Sequence, residues 1–450
     1  MLTHDVLDLV REPATGSPLV PDEAPGRLRS TATGLAFRVE GEAIDLSTPL
    51  AGRAAPGAMP SNATGGDEAT AAPELREYHD RVFEAPNAEQ LYDNLFSLPK
   101  LTQSAHFRRM EILEGLELPD LAGATAIDFG SGPWGFASVF PRLHGAAIHV
   151  TCDVSYEALL QSQAKPGREG AKRLFITSDG DAIGLRDDCA DVVWAGEVIE
   201  HVRSPRLFLQ EVARVLRRGG LLVLSTPNRD APLYAARGLQ NTVGPEHIAL
   251  LSCRELCEEV SAFFTITHRA GFEFSLWHDW DAAIVDEDVL QALQRRAEAF
   301  PELSSGIVLA ARVDKTLLRR NARRWSRREA GWEQWRLAAG DRRGVPLFGP
   351  VQGGFLEEGT VLEATIVATT LVLLFWSHPW SGKVRVRIDG AAREFDLFSH
   401  AGGFRRLEFR LEPGREHAVA IERAGARRDE AQSTEAIFYK SIAYVEGAPA

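Results

Sequence analysis

The sequence predicts an α/β protein. A doubly wound, mostly parallel sheet occupies the middle of the chain, an all-β domain the end, and a small α+β unit the start. Three observations predict it. Short apolar runs alternate with helical patterns between Ala124 and Val313. The stretch Ala124–Gly135 reads as a strand that enters a glycine loop and then opens a helix at Phe136, with Gly130, Gly132 and Gly135 at G-x-G-x-x-G spacing. Beyond Val361, short runs alternate at period two between glycine, proline or polar turns.

The composition is that of a folded globular chain: 450 residues, 44% hydrophobic and 25% charged. A net charge of −13 argues against wholesale binding to nucleic acid. Four cysteines, none in a C-x-x-C pair, fit a reducing compartment. The N-terminus has no basic region followed by an apolar core, so no secretory signal is expected. The most apolar run, Ile366–Phe375, is too short and too β-branched for a spanning helix. The expectation is a cytoplasmic protein without a membrane span.

Residues 1–50 form the first unit, with Val6, Leu7, Leu9 and Val10 on a helical face and strands over Arg27–Ser30 and Gly34–Val39. This unit resembles the zinc-ribbon-like family that activates tRNA methyltransferases. It departs from that family at the metal positions: Glu12-Pro13-Ala14-Thr15 stands where the first cysteine pair belongs, and Ser30–Thr33 has no thiol. Zinc needs four N or S ligands, so no metal is expected. Residues 51–74, rich in Ala, Gly, Pro, Ser and Thr, read as a flexible linker. Residues 75–314 form the central domain, opened by a helical lead-in over Leu75–Leu116.

In the central domain the first strand ends at Phe129, and Ile148–Asp153, Leu174–Thr177, Val192–Ala195 and Leu221–Thr226 follow. Helices are expected over Pro205–Leu216, stopped by Gly219-Gly220, and over Ser252–Phe264. Thr265–Arg269 and Gly306–Val313 suit antiparallel closing strands. In open sheets of this kind ligands bind beyond the carboxyl ends of the strands. Asp128, two residues before the first loop glycine, bears on the choice of ligand. A carboxylate repels a pyrophosphate and attracts a cofactor carrying a sulfonium and an ammonium. It therefore points away from NAD and toward S-adenosylmethionine.

The span 124–252 resembles the class I S-adenosylmethionine-dependent methyltransferases, in particular their type 11 branch, with a Rossmann-like sheet. Asp128-Phe-Gly130-Ser-Gly132 matches the first motif, with Pro133-Trp134 lengthening the loop before Gly135. The resemblance implies that Asp153 takes the ribose hydroxyls and Asp179 the adenine amino group. Gly180 then brings a backbone amide near the ring, and Asp181 replaces Asp179 if the register slips. Glu197-Val-Ile-Glu-His201-Val matches a further motif, which adds Glu197 to the cofactor residues. His247, in Gly244–Ser252, stands in the loop that faces the acceptor in this family, and is the first candidate for a base or acceptor-positioning residue. His201 is the second; four residues after Glu197 on a helical face, its ring would be oriented by that carboxylate. Glu246 and Asn228 are expected neighbours in the pocket.

Trp277–Pro301 reads as an insertion with an acidic turn and a helix. Residues 315–344 read as a basic connecting helix, and 345–450 as a jelly-roll-like β-sandwich. That sandwich loosely resembles modules attached to carbohydrate-active enzymes, with Trp376, His378, Trp380 and His400 as an aromatic sugar platform. The expected function is methyl transfer to an oxygen of a small-molecule or glycan acceptor, such as a sugar of a surface polysaccharide or glycosylated metabolite. The alternatives are a quinone-like or small aromatic acceptor and, in another class, a non-catalytic adenosyl-binding scaffold.

Overall fold

The computed structural model describes residues 3–50, 100–232, 247–273, 286–348, 351–378, 380–398, 403–425 and 436–449. The linker 51–74, the lead-in up to residue 99, Glu246, His400 and the first part of the 277–301 insertion lie outside them. Two compact units are present: Met1–Pro232 with Leu250–Arg319, and Leu233–Ala249 with Arg320–Ala450.

The first unit is organised on one sheet. Its parallel centre consists of β5 (Thr125–Phe129), β6 (Ile148–Asp153), β7 (Lys172–Thr177), β8 (Ala190–Gly196) and β9 (Leu216–Pro227). It is closed by antiparallel β10 (Phe264–Glu273) and β11 (Gly306–Val313). The spatial order β7-β6-β5-β8-β9-β11-β10 reverses direction of travel at β5, which puts a crevice beyond the carboxyl ends of β5 and β8. Alternation along the strands separates two cores. Ile127, Phe129, Val193, Leu222 and Leu224 face α4 (Pro205–Val215) and α5 (Cys253–Ser261). Ala126, Val192, Trp194, Leu221 and Val223 face α2 (Lys100–Gly115).

The N-terminal strands extend this same sheet. After α1 (His4–Leu7), strands β1 (Leu19–Pro21), β2 (Arg27–Ser30), β3 (Ala36–Glu40) and β4 (Ala43–Leu50) form an antiparallel meander. β4 then pairs in parallel with β7, bringing the sheet to eleven strands. Val6, Leu9, Phe37 and Ile44 are buried in the core shared with α4. The two thiol-less segments converge: the buried Glu12 carboxylate accepts from Thr15 Oγ1 (2.6 Å), Ser30 Oγ (2.5 Å) and Thr33 Oγ1 (3.0 Å).

Three local expectations need correction. No α-helix opens at Phe136. The chain makes a 3-10 turn at Gly132–Trp134, a turn at 136–139 and another 3-10 segment at Pro141–Gly145. Five residues between Gly135 and Pro141 leave too little length to repay helix nucleation. Gly219-Gly220 does not end α4, which stops at Val215. The glycines instead lie inside β9, where the register with β8 shifts and Gly219 takes φ +74°. The basic run is helical only in α7 (Lys315–Asn321) and becomes strand β12 (Arg323–Gly331). Local arginine content favours helix. Antiparallel pairing of β12 with β22 (Ile437–Pro449), a partner more than a hundred residues away, overrides it.

In the second unit the 3-10 turn Trp332–Gln334 precedes β13 (Arg336–Ala339), β14 (Arg343–Phe348), β15 (Val351–Phe355), β16 (Val361–Val367), β17 (Thr370–Ser377), β18 (Lys383–Ile388), β19 (Ala391–Asp396), β20 (Gly403–Arg410) and β21 (Glu416–Gly425). They form two antiparallel sheets, β14-β15-β22-β17-β20 with β12 on β22, and β13-β16-β21-β18-β19. Leu371, Leu373 and Phe375 of the first and Val384, Val386, Val419 and Ile421 of the second share one buried cluster with Trp332 and Trp335.

Candidate active site

The loop after β5 is held from below by two carboxylates. Asp153, the last residue of β6, accepts from Gly132 N–H at 2.8 Å and from Ser155 N–H at 2.9 Å. The amides of Gly130 and Ser131 donate to the Cys152 carbonyl at 2.7 and 3.4 Å. Asp128, on β5, accepts from Ala137 N–H at 2.5 Å. Gly130 cannot be replaced without rebuilding: its φ is +73°, and a Cβ would lie 2.3 Å from Val198 Cγ2. The Asp128 carboxyl is pushed up to about 7, first by burial and further by the Asp153 charge, against the Ala137 hydrogen bond that favours ionisation.

Asp179 and Gly180 follow β7. The Asp179 carboxylate accepts from Asp181 N–H at 3.1 Å and lies 3.9 Å from the buried Arg203 guanidinium. Gly180, at φ +83°, runs over the Phe129–Phe208 edge-to-face pair, so close that a Cβ would meet Phe208 at 2.9 Å. Asp128, Asp153 and Asp179 thus stand on or just after three adjacent strands, at one end of the sheet.

Glu197 follows β8 in a left-handed conformation, φ +55°. A non-glycine residue persists there only when its surroundings hold it. Its N–H donates to the Ser225 carbonyl at 2.8 Å, and its Oε1 accepts from Ser225 Oγ at 2.6 Å and from Arg109 at 3.3 Å. Sequence reasoning missed Arg109 and its neighbour His106, both on α2. The signal was there: Ala105, Arg109, Ile112 and Leu113 are the buried stripe of that helix, and an arginine on such a stripe stands out.

The histidine candidates fall differently. Residues 197–201 form turns and not a helix, because the left-handed Glu197 breaks the helical path. His201 Nε2 therefore lies 3.9 Å from its sequence neighbour Glu200, whose other oxygen accepts from Thr226 Oγ1, and Glu197 is engaged elsewhere. His247 is half-buried in a segment that belongs to the second unit. Asn228 is structural: its amide donates to the Glu302 and Ser304 carbonyls and accepts from Cys253 N–H.

A protein-family model described as a methyltransferase domain matches residues 127–224. Residues 127–224 are thus similar to a methyltransferase domain. An uncharacterized methyltransferase of Mycobacterium ulcerans is 37% identical over 105 residues, 23% of this chain and 40% of that relative. The chain therefore spans well under half the length of the curated relatives it matches. Among solved structures, an S-adenosylmethionine-dependent methyltransferase from Mesorhizobium loti is similar at 18% identity and a TM-score of 0.34, covering 47% of this chain and 99% of that one. A complex of the Haloferax volcanii Trm112 methyltransferase activator with a methyltransferase gives 17% and 0.39, covering 52% and 96%.

S-adenosylmethionine is the cofactor expected of such a domain. The residues present fit it. Two buried carboxylates back the glycine loop, and the amides of Gly130, Ser131 and Gly132 are bonded inward, leaving them turned away from a pyrophosphate. That donor set suits a ligand with positive charge and no phosphate. No helix among the described residues is long and apolar enough to cross a membrane.

Proposed function

We propose that the protein is an S-adenosylmethionine-dependent methyltransferase acting on an oxygen of a sugar, in a surface polysaccharide or a glycosylated metabolite. The observation that carries the cofactor half is the inward bonding of the loop amides over Asp128 and Asp153. Asp153 takes the ribose hydroxyls, Asp179 the adenine amino group, and Gly180 leaves room for the ring. Gly130, Gly132 and Gly135 let the backbone pass close, and Asp128 supplies negative charge beneath. Glu197 faces the amino-acid end.

The cofactor supplies an electrophilic methyl group when bound. The chain's own task is to hold the acceptor oxygen in line, exclude water and receive the proton that the hydroxyl loses. His247 is the proposed base, and His201, backed by Glu200, the second candidate. A His247→Ala variant with undiminished turnover would remove the first assignment.

Trp380, 52% exposed, with His378 at a ring distance of 5.8 Å, supports the sugar half of the reading. Aromatic faces at a surface stack on apolar sugar faces. The two C-terminal sheets, read as a sandwich, would present that pair to a glycan. Calorimetry with S-adenosylmethionine tests the cofactor assignment. No binding, or undiminished binding in Asp153→Ala, would overturn it. Labelled-methyl transfer into fractionated cell extract tests the acceptor, with label in glycan expected and label confined to protein or RNA counting against it.

A further inference from the structure

We propose that Arg109 receives an anionic oxygen, of a carboxylate or phosphate, at the methyl-transfer end of the site. The inference rests on the methyltransferase reading and deepens it. Two sources share this chemistry: the carboxylate of the cofactor's methionyl portion and an acidic group on the acceptor.

Arg109 is 5% exposed, yet its charge is incompletely matched. Its one carboxylate partner among the described residues, Glu197, is reached at 3.3 Å and shares the same oxygen with Ser225 Oγ at 2.6 Å. The other guanidinium nitrogen meets His106 Nδ1 at 3.2 Å. A guanidinium only donates, so Nδ1 is the acceptor there and the ring proton sits on Nε2. Burial, and then the Arg109 charge, push the His106 ring down to about 4. Near neutral pH it adds no charge of its own. The guanidinium lies 5.6 Å from the Phe272 ring centroid, an apolar contact that strengthens any charged hydrogen bond beside it.

The Nε–H is what a purely structural role leaves unexplained. It is buried and has no hydrogen-bond partner among the described residues. Pinning α2 to the sheet needs only the Glu197 contact. A buried N–H left unpaired costs about 1–3 kcal/mol, and a planar cation beside it suits a planar or tetrahedral oxyanion. The cluster sits at Glu197 and Ser225, at the carboxyl ends of β8 and β9, where methyl transfer is expected.

The test is titration calorimetry on the full chain. S-adenosylmethionine and its decarboxylated analogue are titrated into wild type, Arg109→Gln and Arg109→Lys. Inorganic phosphate is titrated into the same proteins saturated with S-adenosylhomocysteine. If the cofactor is the source, wild type prefers S-adenosylmethionine over the analogue at least tenfold, and Arg109→Gln abolishes the preference. If the acceptor is the source, wild type binds both alike, and phosphate binding falls at least tenfold in Arg109→Gln. The proposal is overturned if wild type shows neither preference nor phosphate binding, or if Arg109→Gln retains whichever it shows. Should Arg109→Gln fail to fold, as thermal unfolding would reveal, Arg109→Lys decides: it keeps the charge without the Nε–H, and unchanged affinities overturn the proposal. A wild type that binds no S-adenosylmethionine overturns the methyltransferase reading instead. The phosphate titration, repeated without the homocysteine product, then still decides the role of Arg109.

Discussion

Replacing Asp128 by asparagine separates two opposite pH trends. The Asp128 carboxyl, 3% exposed, titrates near 7 where an ordinary aspartate has 3.8. Its folded-state value is raised, so the protonated form stabilises the fold. That contribution is complete below about pH 4 and is lost as the pH rises through 7. At about 1.4 kcal/mol per pH unit, the gap corresponds to on the order of 4 kcal/mol. A cationic ligand works the other way, because it favours the ionised carboxylate. If binding requires that form, affinity rises roughly twentyfold between pH 5.5 and 7.5, and a proton is released at the acid end. Wild type and Asp128→Asn are therefore compared by denaturant unfolding without cofactor, and by calorimetry in buffers of different ionisation enthalpy with S-adenosylmethionine. The difference in unfolding free energy between the two proteins should change across pH 4–7, and only wild type should release a proton. Superimposable pH profiles for the two proteins, or affinity that falls as pH rises, would refute the electrostatic argument.

Glu12→Ala strips three hydroxyls of their buried acceptor, and at about 1–2 kcal/mol for each lost bond should destabilise the first unit by roughly 3–6 kcal/mol, read by chemical denaturation. Gly130→Ala should cost at least tenfold in S-adenosylmethionine affinity. Adding Val198→Ala should recover only part of it, because the clash is removed and the positive φ remains. Cys257 should react first with iodoacetamide at pH 7. The Cys253 hydrogen bond and then Arg269, whose guanidinium lies 3.9 Å away, pull its thiol down to about 6, whereas burial pushes Cys152 and Cys189 up. Peptide mass spectrometry reads the order of labelling, and Arg269→Gln should slow it.

Wherever one residue type had one physical use, the linear chain was enough. β6 and β11 have the bounds expected from the sequence, because strands buried on both faces read as mostly apolar runs bounded by polar or turn residues. The acids Asp128, Asp153 and Asp179 stood out for the same reason: each is a charge at the end of such a run. Partners distant in sequence are another matter. Nothing local told that β4 would continue the sheet through β7, since an edge strand and an isolated hairpin share one alternating pattern. The arginine-rich run became strand because β22 offered it a ladder of backbone hydrogen bonds. Glu12 looked like a lost metal ligand, and packing made it a buried hydrogen-bond hub. Arg109 acquired meaning only when α2 lay against the end of β8, setting its guanidinium beside Glu197. Periodicity and charge pattern therefore marked most of the elements and singled out the three acids, because those signals depend on neighbours a few residues away. The contacts that tune the site join residues some ninety positions apart, and only the folded chain brings them within hydrogen-bonding distance.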